Sequence, residues 1–178
     1  VKLTYSNSQL FSYTNNGQIF HYDEPTDQFF FLTDLREETD NSHITIGTIV
    51  ADTSNVLWIA SSIGLFKYEN NILTKIPQTE GHKASHFYDD NHLFYITSAG
   101  ISLLNISTSE SRLLYSNTTE DFFQVPSLYY DDQLKRLWIG TGSAGLFYYD
   151  IIRKSLSDIP IRNFPKQPIL AIRKDAKN

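Results

Sequence analysis

The chain has 178 residues, about the length of one ordinary domain, and 40% of them are apolar and 14% aromatic, which is enough to build a sizeable core. Low glycine, scattered proline and many aromatic residues exclude a collagen, a coiled coil and wholesale disorder. The formal net charge of −5 offers no basic face to nucleic acid or anionic lipid, and no apolar run of roughly 18 residues marks a transmembrane helix.

Cysteine and methionine are both absent from the chain. Without cysteine the protein has no disulfide framework, no thiol nucleophile and no thiolate metal site, so the fold has to depend on packing. Because the chain opens with Val1 and contains no methionine, we expect it to be a processed or excised piece of a longer protein.

Four similar segments follow one another along the chain, and each consists of an apolar run, a glycine and a second apolar run. The first runs begin at Leu10, Leu57, Leu93 and Leu137, and the glycines are Gly17, Gly64, Gly100 and Gly145. Successive leucines are 47, 36 and 44 residues apart. This spacing lies near the roughly 40–50 residues of a four-stranded propeller blade.

The local chemistry of each segment predicts strands joined by tight turns. The runs are short and rich in aromatic and β-branched residues, as strands are. Asn15-Asn16-Gly17 is a hairpin signal, and we expect the other recurrent glycines to adopt positive φ or to sit in close-packed positions. Aspartates also recur, at Asp52, Asp89, Asp131 and Asp175. They predict Asx-type turns, because calcium needs six to eight oxygens at one point and these residues fall in different repeats.

We therefore predict an all-β fold made of β-propeller blades of four antiparallel strands, forming an incomplete ring of about four blades of a larger propeller. The blades are expected over residues 1–33, 44–76, 84–115 and 125–160, with a surplus fifth inner strand at 168–174. A closed ring of four blades would have no place for that strand. A β-sandwich is the alternative architecture, although it does not require a repeated motif.

Two of the repeats carry a more specific motif. Leu-Trp-Ile-Gly-Thr at 137–141, followed by Gly-Leu-Phe-Tyr-Tyr-Asp at 145–150, resembles the two-component regulator propeller repeat, and residues 57–68 form a second good copy. In that second copy Ala60 replaces one Gly, and the remaining two copies have Phe11 and Phe94 where the family prefers Trp. The resemblance implies the periplasmic sensor domain of a hybrid two-component histidine kinase, of the kind that senses polysaccharide breakdown products. It places the membrane span and the kinase outside this chain.

Most residues that invite a functional assignment have a simpler structural explanation. Trp58 and Trp138 occupy one position in the repeat, which favours packing over stacking on a sugar. His82 and His86 have a zinc-like i, i+4 spacing, but the segment is predicted to run into a strand, where the two rings would stand about 13 Å apart. No nucleophile motif is present. We therefore predict no catalytic residue, no metal site and no cofactor.

The longest connection between predicted strands is the best candidate for a ligand contact. It joins a fourth strand to the next inner strand, a class of connection that opens on the ligand face of propellers, and long loops are often functional. Within it Arg36, Asp40 and His43 could hydrogen-bond a sugar hydroxyl or an acidic group. A solvated loop without a ligand is the alternative interpretation.

The function that these features favour is a non-catalytic sensor or ligand-recognition module of a two-component signalling protein, located in the periplasm. The expected partners are an oligosaccharide and a second propeller, through propeller faces or open edges rich in Phe and Tyr. No nucleic acid is expected, and the membrane enters only through parts of the parent outside this chain. The alternatives are an interaction scaffold without a small ligand and a metal-dependent propeller lyase.

Overall fold

The computed structural model describes residues 1–38, 44–77, 79, 84–117, 124–157 and 167–175. The chain forms two compact units, Val1–His82 and Lys83–Asn178. The described residues contain four sheets of four strands each, and in every sheet consecutive strands pair antiparallel. These sheets are β-propeller blades, so the prediction of an all-β fold built from four-stranded antiparallel blades is confirmed.

The first unit contains two blades. Blade 1 consists of β1 (Lys2–Ser6), β2 (Gln9–Tyr13), β3 (Gln18–Asp23) and β4 (Gln28–Asp34). A short 3₁₀ helix, Leu35–Glu38, follows β4. Blade 2 consists of β5 (Ile46–Ala51), β6 (Leu57–Ser61), β7 (Gly64–Glu69) and β8 (Ile72–Lys75).

The second unit contains the other two blades. Blade 3 consists of β9 (Ala84–Asp89), β10 (His92–Thr97), β11 (Gly100–Asn105) and β12 (Ser111–Ser116). Blade 4 consists of β13 (Ser127–Asp131), β14 (Arg136–Gly140), β15 (Leu146–Asp150) and β16 (Ser155–Leu156).

Each unit has its own hydrophobic core between its two blades. In the first unit the core includes Phe11 of blade 1 and Ile49, Ile59 and Phe66 of blade 2, which are at most 2% exposed. In the second unit it includes Phe94, Leu137, Ile139 and Tyr149. Along β6 the core includes Leu57 and Ile59 but not Trp58 between them, so one face of the sheet packs against the partner blade.

The recurrent glycines have the backbone conformation that their repetition predicted. Gly17, Gly64, Gly100 and Gly145 have φ values of +99°, +138°, +138° and +92°. Most side chains are strained at positive φ, so glycine recurs at this point of each blade. At Gly100 a Cβ atom would also overlap the carbonyl oxygen of Tyr115.

The segment predicted as a fifth inner strand, 168–174, forms no strand ladder with the other described residues of this chain. The Ile169 N–H donates to the Thr141 carbonyl at 3.0 Å, and the Ile169 carbonyl accepts a hydrogen bond from the Ser127 hydroxyl at 2.6 Å. These contacts tie Ile169 to blade 4 at one point, whereas a strand requires a ladder of successive backbone pairs. The same contact explains a glycine, because a Cβ at Gly140 would lie 2.7 Å from the Ile169 carbonyl oxygen.

Candidate functional site

Three of the four recurrent aspartates, Asp52, Asp89 and Asp131, close the turns between the first two strands of their blades. One Asp52 carboxylate oxygen accepts the N–H groups of Ser54 and Val56, both at 2.9 Å. Asp131 accepts the N–H groups of the residues two and three positions later, and Asp89 accepts the N–H of Asn91 at 2.8 Å. These are Asx turns, as the sequence predicted. One oxygen of each carboxylate is thus engaged within its own turn.

The two tryptophans have different surroundings although they hold equivalent places in the repeat. Trp58 is 1% exposed, and its indole N–H donates to the second carboxylate oxygen of Asp52 at 3.2 Å. Trp138 is half-buried and packs on Tyr148 with ring centroids 5.4 Å apart, while the Arg136 guanidinium lies 4.3 Å from the centre of the Tyr148 ring. Trp58 therefore has a structural role, in which it anchors a turn.

Of the three predicted ligand contacts, the structure describes one. Arg36 lies in the 3₁₀ helix, and its Nε donates to both oxygens of the Asp34 carboxylate at 3.0 Å. These hydrogen bonds hold the pKa of Asp34 below its usual value. Much of the guanidinium still faces solvent, since the Arg36 side chain is 41% exposed. Asp40 and His43 lie outside the described residues.

The zinc-like histidine pair cannot be assembled from the described residues, because His82 lies outside them. Within β9, His86 directs Nδ1 toward the Phe87 carbonyl at 2.9 Å and packs edge-on against Tyr129. Burial lowers the pKa of His86, which disfavours its charged form. Across the described ranges, no group of three or more His, Asp or Glu side chains could hold a metal ion.

The second unit contains a cleft between blades 3 and 4, with a cavity of about 220 Å³. We call this the blade 3–4 cleft. Its lining comprises Tyr88, Phe94, Leu103, Arg112, Leu113, Leu114, Tyr149, Ile151 and Lys154.

Strand pairing accounts for the composition of one wall of the cleft. Phe94 pairs with Leu103 across β10 and β11, and Leu103 pairs with Arg112 across β11 and β12. Residues opposite one another in a sheet share a face, so Arg112 continues the face that carries the core residue Phe94. The outermost strand thus places a cation at the rim of an apolar surface.

The opposite wall comes from blade 4. The Tyr149 hydroxyl donates to the Leu114 carbonyl at 3.2 Å, which fixes the two walls to one another. Burial raises the pKa of Tyr149, and the positive charge of Arg112 partly opposes that shift. Lys154 lies in the turn between β15 and β16 with a φ of +53°.

Sequence reasoning did not single out the blade 3–4 cleft. Arg112 and Lys154 are 42 positions apart in the chain, and the sequence around each predicts only an ordinary charged residue in a polar strand or turn. The sequence did give their positions within the repeat. Arg112 alternates with Leu113 in the fourth strand of blade 3, and Lys154 lies in the turn before the fourth strand of blade 4. Only the pairing of blades brings the two together.

The repeated sheets define the class of protein as one built from β-propeller blades. No protein-family model and no curated protein matches the sequence. Solved structures of extracellular domains from B. thetaiotaomicron do match the fold. One is the extracellular domain of BT4673, described as a one-component system, with a TM-score of 0.74 and 18% identity over 98% of this chain and 25% of that one.

Two further structures agree with this match. A second structure of the BT4673 domain, described there as a hybrid two-component system, has a TM-score of 0.70 and 18% identity over 98% of this chain and 24% of that one. The domain of BT3049, also described as a hybrid two-component system, has a TM-score of 0.64 and 17% identity over 94% of this chain and 21% of that one. The chain therefore spans about a quarter of the length of these domains and shares their fold.

In the ranges that the structure describes, no helix is long and apolar enough to cross a bilayer.

Proposed function

We propose that this chain is part of the extracytoplasmic recognition region of a two-component signalling protein and carries no catalytic activity of its own. The observation that carries the proposal is the fold match over 98% of the chain to the extracellular domain of BT4673. The motif at 137–150 adds support from the sequence, since it resembles the repeat of such sensors. A periplasmic location follows from the same assignment.

The proposed stimulus is an oligosaccharide, and the response passes to a kinase outside this chain. A ligand can drive such a relay only if it binds two conformations of the sensor with different affinity. The exposed part of Arg36, together with Asp40 and His43, remains a proposed contact for the sugar. Because Asp34 already engages Arg36, a ligand there would approach the free edge of the guanidinium.

Two measurements test this function. Reading the encoded sequence on both sides of the chain should reveal further Leu-Trp-Ile-Gly-Thr copies, a transmembrane span and a kinase; a flanking enzyme domain of another class would contradict the proposal. Thermal unfolding of the chain should shift upward with at least one member of an oligosaccharide panel, because a ligand of the folded state stabilises it. Arg36→Gln, Asp40→Asn and His43→Gln should weaken that shift if their loop makes the contact.

A second candidate function is an interaction scaffold that associates with a second copy of itself. One face of blade 1 packs on blade 2, but its other face exposes large apolar side chains: Leu3 by 62%, Tyr5 by 64%, Phe29 by 44% and Phe31 by 56%. Exposed apolar patches of this kind commonly mark interaction sites. Since blades in this chain cover such faces with another blade, we propose a blade of a second copy as the occupant.

Two neighbouring residues of β4 provide a test substitution for this surface and its matched control. Phe31 belongs to the exposed face, while its neighbour Phe30 is 50% exposed and points to the opposite face. In sedimentation at rising concentration, Phe31→Lys should lower association and Phe30→Lys should leave it unchanged. A protein that stays monomeric at high concentration would overturn the scaffold function.

A further inference from the structure

We propose that the blade 3–4 cleft binds an acidic monosaccharide unit through Arg112 and Lys154, an inference that rests on the proposed sensor function and names the class of its ligand. Nothing in the sequence motif or in the fold match points to this cleft, and its residues carry the argument.

The charge of the cleft is opposite to that of the protein. The chain has a formal net charge of −5, yet the described residues that line the cleft include Arg112 and Lys154 and no acidic side chain. Among the residues that the structure describes, neither cation forms an ion pair. The neighbouring Arg153, by contrast, lies 4.0 Å from Asp150. Two unpaired cations beside one cavity favour a negatively charged occupant.

The shape of the cleft selects a small ligand with an apolar side. Its floor contains Phe94 and Tyr149, which are 1% and 2% exposed, and its rim contains Leu113, which is 53% exposed. Its volume of about 220 Å³ is below the roughly 300–1,000 Å³ of pockets for drug-sized ligands. One sugar ring has suitable size, and its C–H face can pack on such a surface.

The chemistry of the two cations also fits an acidic sugar. A guanidinium can hold a carboxylate through two parallel N–H···O bonds, whereas an ammonium acts as a point charge. A hexuronate ring offers one carboxylate to Arg112 and hydroxyls to Lys154. A neutral hexose of the same size lacks the group that Arg112 recognises.

The test is calorimetric titration of the full chain with D-glucuronate, D-glucose, acetate and phosphate at low salt. D-glucuronate should bind more tightly than the other three, and its affinity should fall as salt is raised. Arg112→Gln should reduce the affinity about tenfold or more, since it removes a charge-assisted hydrogen bond, and Lys154→Gln should reduce it less. Arg153→Gln is the matched control, because it removes an adjacent cation that does not line the cleft.

Four outcomes would overturn the proposal. Equal binding of D-glucose would show that the charge is irrelevant, and equal binding of acetate or phosphate would reduce the cleft to a simple anion site. An unchanged affinity of a folded Arg112→Gln variant would place the ligand elsewhere. Absence of any D-glucuronate binding would remove the site. Failure of the sensor function is separately visible, since the flanking sequence would then lack a membrane span and a kinase.

Discussion

Tyr149 ties together the two blades of its unit by donating its hydroxyl to the backbone carbonyl of Leu114 on the fourth strand of the preceding blade, at 3.2 Å. Tyr68 does the same in the first unit, where its hydroxyl reaches the Leu32 carbonyl at 3.1 Å. Both tyrosines follow the recurrent glycine at the same point of the repeat, and burial raises the pKa of each. A repeated tyrosine thus fastens the outer edge of one blade to the third strand of the next.

Removing either hydroxyl should cost stability without disturbing the fold. Tyr68→Phe and Tyr149→Phe should each lower the free energy of unfolding by about 1 kcal/mol, the usual net value of such a hydrogen bond. Urea unfolding measures both, and the wild-type chain is the reference. A loss confined to one of the two variants would show that the contacts are not equivalent.

The recurrent glycines should differ in their tolerance of alanine. Gly17→Ala should cost roughly 1–2 kcal/mol from positive φ alone, because the nearest atom to its Cβ would be 3.4 Å away. Gly100→Ala should cost more, since its Cβ would also overlap the Tyr115 carbonyl, a backbone atom. Thermal unfolding of the two variants tests the order. Equal destabilisation would show that the backbone of β12 yields to the added methyl group.

The indole contact of Asp52 can be separated from its role in the turn. Asp52→Asn keeps one oxygen for the turn but can place an N–H₂ group opposite the Trp58 N–H, which leaves two donors facing each other. We expect a loss of about 1–3 kcal/mol, the cost of an unsatisfied buried donor. Asp131→Asn is the matched control because no indole contact is formed there. Urea unfolding followed by tryptophan fluorescence should separate the two variants.

Protonation of His86 should lower the stability of the folded chain as the pH falls below neutrality. Burial lowers the pKa of His86 in the folded chain, whereas the unfolded chain keeps a value near 6.5. Between these two pKa values the unfolded state binds more protons than the folded state. The stability contributed by neutral His86 is therefore fully present above about pH 6.5 and is lost as the pH falls toward the pKa of the folded chain.

The variant His86→Phe removes that titration. The urea midpoint of the wild type should drop more between about pH 8 and pH 5 than the midpoint of His86→Phe. At the higher pH both states are neutral at this position, so the difference there reflects the lost hydrogen bond to the Phe87 carbonyl and the altered packing against Tyr129, and not titration. Parallel curves for the two proteins would refute the assignment.

Local chemistry allowed the blades to be predicted from the sequence. Strand periodicity, the positive φ of Gly17 and Gly64, and the Asx turns at Asp52 and Asp131 all depend on residues within a few positions of each other. Such interactions recur with each repeat, so repeats spaced 36 to 47 residues apart were enough to indicate four-stranded antiparallel sheets.

Contacts between distant residues could not be predicted in this way. The segment at 168–174 has the composition of a strand, yet its Ile169 bonds to Thr141 and Ser127 instead of forming a ladder. A strand-like composition allows a segment to form a strand, but the segment forms one only where another strand is in place to pair with it.

The sequence by itself determined the kind of fold, because each blade is built from short-range rules that every repeat obeys. Only the tertiary structure decided where a ligand can be held. Arg112 and Lys154 border one cavity because two blades pack face to face and bring together residues with no local relation in the chain. The same packing buries Tyr149, whose hydroxyl joins the walls of that cavity.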